Sequence, residues 1–167
     1  MTIVDHQIRQ LCRERGLVEP FMPEMVNPAS IDVSLGSTIL REGNAGEDRW
    51  VQEDIVNGVY SLQPGEFVLA HTAELVRVPN DLECVFNLKS SRGREGFDHL
   101  MAAYIDPGFT GRVTLELVNV NRNHRLALEH GMRIGQLRFA RLDAIPTRSY
   151  AVTGRYQGDN SVQTSKG

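Results

Sequence analysis

Cysteine is nearly absent: Cys12 and Cys84 are the only thiols in 167 residues. Two thiols make no disulfide framework, and no Cys-x-x-Cys pair is present to hold a metal. Buried, reduced thiols in a cytoplasmic protein are the simpler expectation. Long apolar runs are missing too. No stretch approaches the ~18 residues that a membrane-spanning helix requires, and the opening residues join no basic start to an apolar run, so no membrane partner is expected. An excess of positive charge is also lacking, because 18 Lys and Arg stand against 21 Asp and Glu. A net charge of −3 gives no general attraction to nucleic acid, so any polyanionic ligand has to be met by a local cluster of cations. That favours a nucleotide over a nucleic acid. No internal repeat or low-complexity tract divides the chain. With 41% apolar residues, positions 1–167 suffice for one core and one domain.

Helical periodicity is scarce as well. Asp5 reads as the N-cap of a short N-terminal helix in which Ile8, Leu11 and Cys12 share a face, and Gly16 supplies the stop. From Ile31 onward the pattern is short alternating runs between turn residues, including Phe67 to Val78, Val113 to Val120 and Met132 to Phe139. Such spacing predicts a mainly β protein, an antiparallel sandwich or barrel. At Gly135 the apolar parity switches from Met132 and Ile134 to Leu137 and Phe139, which predicts a β-bulge. Between Arg41 and Asn57, around the single Trp50, the chain reads as an excursion from the sheet, a hairpin suited to a subunit contact. The closing residues, Gln157 to Gly167, are polar without a hydrophobic period and predict a tail that is disordered on its own.

The densest information lies in Ile105-Asp106-Pro107-Gly108-Phe109-Thr110-Gly111-Arg112-Val113-Thr114-Leu115-Glu116-Leu117. Pro107 presets φ and Gly108 tolerates a positive φ, so the pair predicts a tight turn. Asp106 leads into it. Beyond the turn Val113, Leu115 and Leu117 alternate with Thr114, Glu116 and Val118, so Glu116 points away from the Leu115 face. With Val118 and Val120 on its own face, desolvation is expected to raise its pKa toward the range useful in proton transfer. The bland alternative is a solvated glutamate on an outer face. For Asp106 the bland alternative is an Asx cap on the Pro-Gly turn.

Other segments follow in a recognisable order. Pro28-Ala29-Ser30-Ile31-Asp32-Val33-Ser34-Leu35-Gly36 comes first, then Pro64-Gly65-Glu66-Phe67-Val68-Leu69-Ala70, Leu88-Lys89-Ser90-Ser91 and Arg94-Glu95-Gly96-Phe97. Gly131-Met132-Arg133-Ile134-Gly135-Gln136-Leu137 and Arg155-Tyr156-Gln157-Gly158 complete the set. Together with the Asp106–Leu117 stretch they resemble the dCTP deaminase branch of the trimeric dUTPase superfamily. The resemblance implies a distorted antiparallel β-barrel or jelly-roll of the dUTPase-like type, a homotrimer whose sites draw on more than one chain, and a C-terminal arm at about residues 151–167.

It also implies roles. Glu116 corresponds to the glutamate that takes a proton from water and passes one toward the base as ammonia leaves. Ser90 and Arg94 correspond to residues that hold the attacking water and orient that glutamate. A helix or turn cap at Ser90-Ser91 and a solvated Arg94–Glu95 pair are the bland alternatives. Lys89, Ser91, Arg92 and Arg94 form the local cationic and hydroxyl cluster for a triphosphate. Lys89 stands where the family usually has Arg, a point charge in place of a bidentate fork. Asp106 corresponds to the acid that meets the deoxyribose 3′-hydroxyl and, in dUTPases, activates water for pyrophosphate release. With one residue deleted after Phe97, His99, Ala102 and Tyr104 fall at the base pocket. Gln136 joins the binding set, and Tyr150, Arg155, Tyr156 and Gln157 correspond to the arm that closes over the nucleotide. Asp159 departs from a common Gln in that arm, which leaves a modified cytosine nucleotide open as substrate.

Most cytosine deaminases activate water on zinc. This chain has no His-x-Glu, and His6, His71, His99, His124 and His130 are scattered without ligand spacing, so no zinc is expected. Mg²⁺ is expected only with the triphosphate. The first expectation is therefore conversion of dCTP to dUTP and ammonia. A bifunctional enzyme continuing to dUMP, or a plain dUTPase using Asp106, is the alternative; a catalytically silent nucleotide-sensing regulator is the third.

Overall fold

The computed structural model describes all 167 residues. Its N-terminal helix, Asp5–Arg15, buries Ile8, Leu11 and Cys12, the i, i+3, i+4 set, and ends at Gly16 with φ 61°. The cap lies one residue earlier than expected. Val4 takes that position, and its N–H donates to Gln7 Oε1 at 3.1 Å. Asp5 is instead the first helical residue, where its charge complements the positive end of the helix dipole.

Two five-stranded antiparallel sheets make up most of the remainder. In one, the spatial order is Phe97–Asp98, Thr114–Asn119, Phe67–His71, Thr38–Glu42 and Trp50–Asp54. In the other it is Tyr104–Ile105, Leu82–Leu88, Arg133–Arg141, Ser30–Ser34 and Val26–Asn27. A bridge between Leu35 and Thr72 joins them, and no continuous ladder closes a barrel. The fold is thus the mainly antiparallel β architecture expected, in an open, distorted form. Inward-facing residues of both sheets, among them Val33, Phe86, Leu137, Val68, Leu115 and Leu117, belong to one hydrophobic cluster.

The ladder shifts register between Arg133 and Gly135, the bulge anticipated from the parity switch. A Cβ at Gly135 would lie 2.1 Å from the Phe86 ring, so only glycine admits that ring against the strand. The Arg41–Asn57 region corrects the sequence reading. Its hairpin belongs to the sheet: Thr38–Glu42 pairs with Trp50–Asp54 along the edge, and Trp50 meets Phe67 edge-on at 6.0 Å.

The tail also differs from the expectation for the isolated segment. It lies along the core, with Gly158 N–H donating to Thr110 O at 2.7 Å and Arg112 N–H to Asp159 O at 2.7 Å. Gln163 N–H donates to Thr114 Oγ1 at 3.2 Å, and Val162 is buried. Backbone pairing and one apolar anchor replace the missing hydrophobic period. No helix is long and apolar enough to cross a membrane.

Candidate active site

The Pro-Gly turn forms as its residues dictate. Phe109 N–H closes it on Asp106 O at 3.1 Å, and Gly108 sits at φ 92°, where side-chain-bearing residues are strained. The Asp106 carboxylate does not cap this turn. It makes no hydrogen bond within the chain and faces a cleft of about 570 Å³ with Tyr104, Arg148, Tyr150, Arg155 and Tyr156. A free carboxylate among aromatic and cationic groups suits a sugar hydroxyl, or a water to be activated.

Glu116 lies in the next strand, whose burial alternates with Leu115, Leu117 and Asn119 inward. Its half-buried side chain shares a cleft of about 380 Å³ with Trp50, Phe67, Leu69, Thr114, Tyr156 and arm residues Gln163, Thr164 and Ser165. Desolvation raises its pKa, as anticipated, but the apolar company is different. Val120 lies past the strand end and is 59% exposed. Leu69, directly opposite Glu116 in the register, supplies the dry wall together with Phe67 and Trp50. Those three residues were missed in the sequence. The alternation of Phe67 and Leu69 was visible, but the pairing that sets them against Glu116 joins strands distant in the chain.

Ser90 and Ser91 open a one-and-a-half-turn helix, Ser90–Glu95, with Lys89 at its cap position and no side-chain capping bond. Both serines are exposed, so the cap alternative is not realised. Arg94 is exposed and unpaired, while Glu95 bonds Arg92 Nη1 at 2.6 Å in place of Arg94. Lys89 departs from the expected triphosphate cluster: its Nζ lies 2.6 Å from the buried Asp32 carboxylate, which also accepts from Asn27 Nδ2 at 2.7 Å. Its charge is thus committed to the core. Within one chain this helix lines neither cleft. It is tied to the far end of the Glu116 strand, through Val120 N–H to Gly96 O at 2.9 Å and Asn121 Nδ2 to Glu95 O at 2.8 Å.

The remaining expected residues divide. Tyr104 reaches the Asp106 cleft and donates its hydroxyl to Glu83 Oε2 at 3.1 Å; burial, then Glu83, raises its pKa. Ala102 is exposed, and His99 packs edge-on against Phe86 at 5.5 Å with Nδ1 buried and unpartnered. Gln136 accepts from Ser30 Oγ at 2.7 Å beside Asp32, away from both clefts. The arm assembles as a unit. Tyr156 N–H donates to the Tyr150 hydroxyl at 3.2 Å, Tyr150 leans on Phe109 with centroids 5.8 Å apart, and Tyr156 lines both clefts. Gln157 is bonded to the turn itself, accepting from Thr110 N–H at 3.1 Å and donating to Gly108 O at 3.2 Å. Arg155 is exposed over the Asp106 cleft, and Asp159 pairs with Lys166 at 2.8 Å.

Two carboxyls in neighbouring clefts, one desolvated and one free, beneath a single arm, are the equipment of an acid–base enzyme on a β scaffold. The chain belongs to the dCTP deaminase-like family, whose model matches residues 2–142. A relative from Coprothermobacter proteolyticus, named "dCTP deaminase, dUMP-forming", is 37% identical, covering 99% of this chain and 96% of its own. One of the same name from Mycolicibacterium smegmatis is 38% identical over the same shares. The solved 2′-deoxycytidine 5′-triphosphate deaminase from Agrobacterium tumefaciens superposes with TM-score 0.67 at 24% identity, which is a likeness of fold. That match covers 83% of this chain and 46% of the Agrobacterium chain, less than half its length. The relatives' names specify dUMP, the product of the bifunctional alternative, where dUTP was the first expectation.

Proposed function

We propose that this protein converts dCTP to dUMP by two hydrolytic steps: dCTP and water give dUTP and ammonia, then dUTP and water give dUMP and pyrophosphate. The observation that carries the reading is the desolvated Glu116 carboxyl, next to a second cleft with an unbonded Asp106 and sharing Tyr156 with it. In the first step Glu116 takes a proton from the water that adds to C4 of cytosine and returns one to the departing ammonia. A carboxyl with a raised pKa exchanges protons near neutral pH more readily than a solvated one. In the second step Asp106 positions and deprotonates the water that releases pyrophosphate. The names of the full-length relatives support dUMP over dUTP as end product.

Mg²⁺ enters with the triphosphate and offsets part of its charge; the free oxygens of Asp106 are donors of the hard type it takes. The assembly proposed is a homotrimer. Ser90, Ser91 and Arg94 lie off the Glu116 cleft in their own chain, so a neighbouring chain's helix completes it. Exposed Leu100, Met101 and Val120 near that helix are the apolar surface such a contact covers. A cytoplasmic setting accords with two free, buried thiols. The test is incubation of the purified protein with dCTP and Mg²⁺, followed by separation of dUTP from dUMP. Appearance of dUMP supports the reading; dUTP as sole product reduces it to deamination alone; unchanged dCTP leaves a plain dUTPase, if added dUTP is hydrolysed, or the nucleotide-sensing alternative, if it is not.

A further inference from the structure

A third hollow lies apart from both clefts, under the middle of the arm, and none of its residues is among those expected at the nucleotide site. Arg112 reaches it from the link before the Thr114–Asn119 strand, His71 from the end of the Phe67–His71 strand, and His130 from the turn after Leu126–Glu129. Ser37 and the arm residues Asn160 and Ser161 also line it, and no carboxylate does. Its volume of about 210 Å³ exceeds several waters at about 30 Å³ each, so a tetrahedral oxyanion fits.

Two groups there have bonding capacity left over. Arg112 is half-buried and joins none of the chain's ion pairs; its one side-chain hydrogen bond runs from Nη1 to Thr72 O at 3.3 Å. Glu74, the carboxyl whose field reaches Arg112, accepts from Ser34 N–H at 2.9 Å and 3.1 Å and makes no ion pair with the guanidinium. His71 is 4% exposed, and its Nδ1 lies 2.8 Å from Thr72 O. A carbonyl only accepts, so Nδ1 carries the proton and Nε2 is left as an unpaired acceptor. Burial lowers the His71 pKa, in keeping with a neutral ring.

A ligand that satisfies both groups needs negative oxygens for Arg112 and one proton to give to His71. We infer that this hollow is a binding site for a protonated phosphate-type oxyanion, held by Arg112, His71 and His130, and that its occupancy fastens the arm through Asn160 and Ser161. Hydrogen phosphate meets the requirement. Sulfate has the same shape but no proton to donate near neutral pH.

The experiment is calorimetric titration of the full-length protein with orthophosphate and, separately, sulfate, paired with trypsin digestion at Arg155. Orthophosphate is expected to bind more tightly than sulfate and to slow cleavage after Arg155. His130→Ala, at an exposed position, and His71→Asn should each weaken orthophosphate about tenfold, the scale of one hydrogen bond to a charged group. Ser90→Ala/Arg94→Ala should leave orthophosphate binding intact. Equal affinity for sulfate, no binding, or loss in the Ser90/Arg94 variant with retention in the His130 and His71 variants would overturn the inference. Since the probe is not a nucleotide, the inference stands or falls apart from the reading of the Glu116 cleft.

Discussion

Replacing Glu116 by Gln removes one proton-transfer group and almost no volume. The side chain is half-buried against Leu69, Phe67 and Trp50 and makes no side-chain hydrogen bond, so no partner is orphaned by the change. Loss of a general acid–base group lowers turnover by about 10²-fold to 10⁴-fold, or about 2.7–5.4 kcal/mol at ~1.36 kcal/mol per tenfold. The assay is ammonia release from dCTP at saturation, with dCTP binding measured in parallel by dialysis. Stability supplies an independent readout with a definite sign. Desolvation raises the Glu116 pKa, so its contribution is fully present below the ordinary carboxylate range and is lost as pH rises through the raised value. Glu116→Gln should therefore melt above the wild type at alkaline pH and match it in acid. Undiminished ammonia release would refute the catalytic role, and a melting difference that grows toward acid would refute the desolvation argument.

Asp106→Asn should leave deamination nearly intact and make dUTP accumulate, since the free carboxylate lies in the second cleft; chromatographic separation of dUTP and dUMP reads this. Truncation after Arg155 removes one buried apolar side chain, Val162, and the Tyr156 wall of both clefts. The far-ultraviolet spectrum should persist and turnover should collapse. Lys89→Met strands the Asp32 carboxylate, 2% exposed, with Asn27 and a distant Arg133 as its remaining partners. Urea denaturation should show a loss toward the lower end of about 3–5 kcal/mol. Light scattering should return a trimer for the full-length protein, and a monomer active at the same dilution would contradict the shared-site proposal.

How legible each part was depends on how local its cause is. Alternation in Thr114–Asn119, the parity switch at Gly135 and the Pro107-Gly108 turn are set by neighbouring residues, and all three appear as expected. The Asp5 cap missed by one residue because Gln7 reaches back to Val4, a contact that Asp5's own propensity does not reveal. The carboxyls of the site were visible, but not their surroundings. Glu116 is dried by Leu69 across a strand pair that joins distant segments, and by Trp50 from a hairpin that read as an excursion. Lys89 was read from the local cluster of cations and hydroxyls, and its contact with Asp32, 57 residues away in the chain, carries no local signal. The arm carries no periodic signal, and its course along Thr110 to Thr114 comes from backbone bonds together with single side-chain contacts, Gln157 on the turn and Thr114 on Gln163 N–H, which follow no period.

Glu116 and Asp106 as successive acid–base groups imply that each dCTP consumed gives up its amino group and its terminal diphosphate in one enzyme's care. The direct measurement is simultaneous quantification of ammonia and pyrophosphate from dCTP with Mg²⁺, using the purified protein alone. The two are expected at one-to-one, with dUMP as the remaining product. Ammonia without pyrophosphate, or neither from fully bound dCTP, would contradict it.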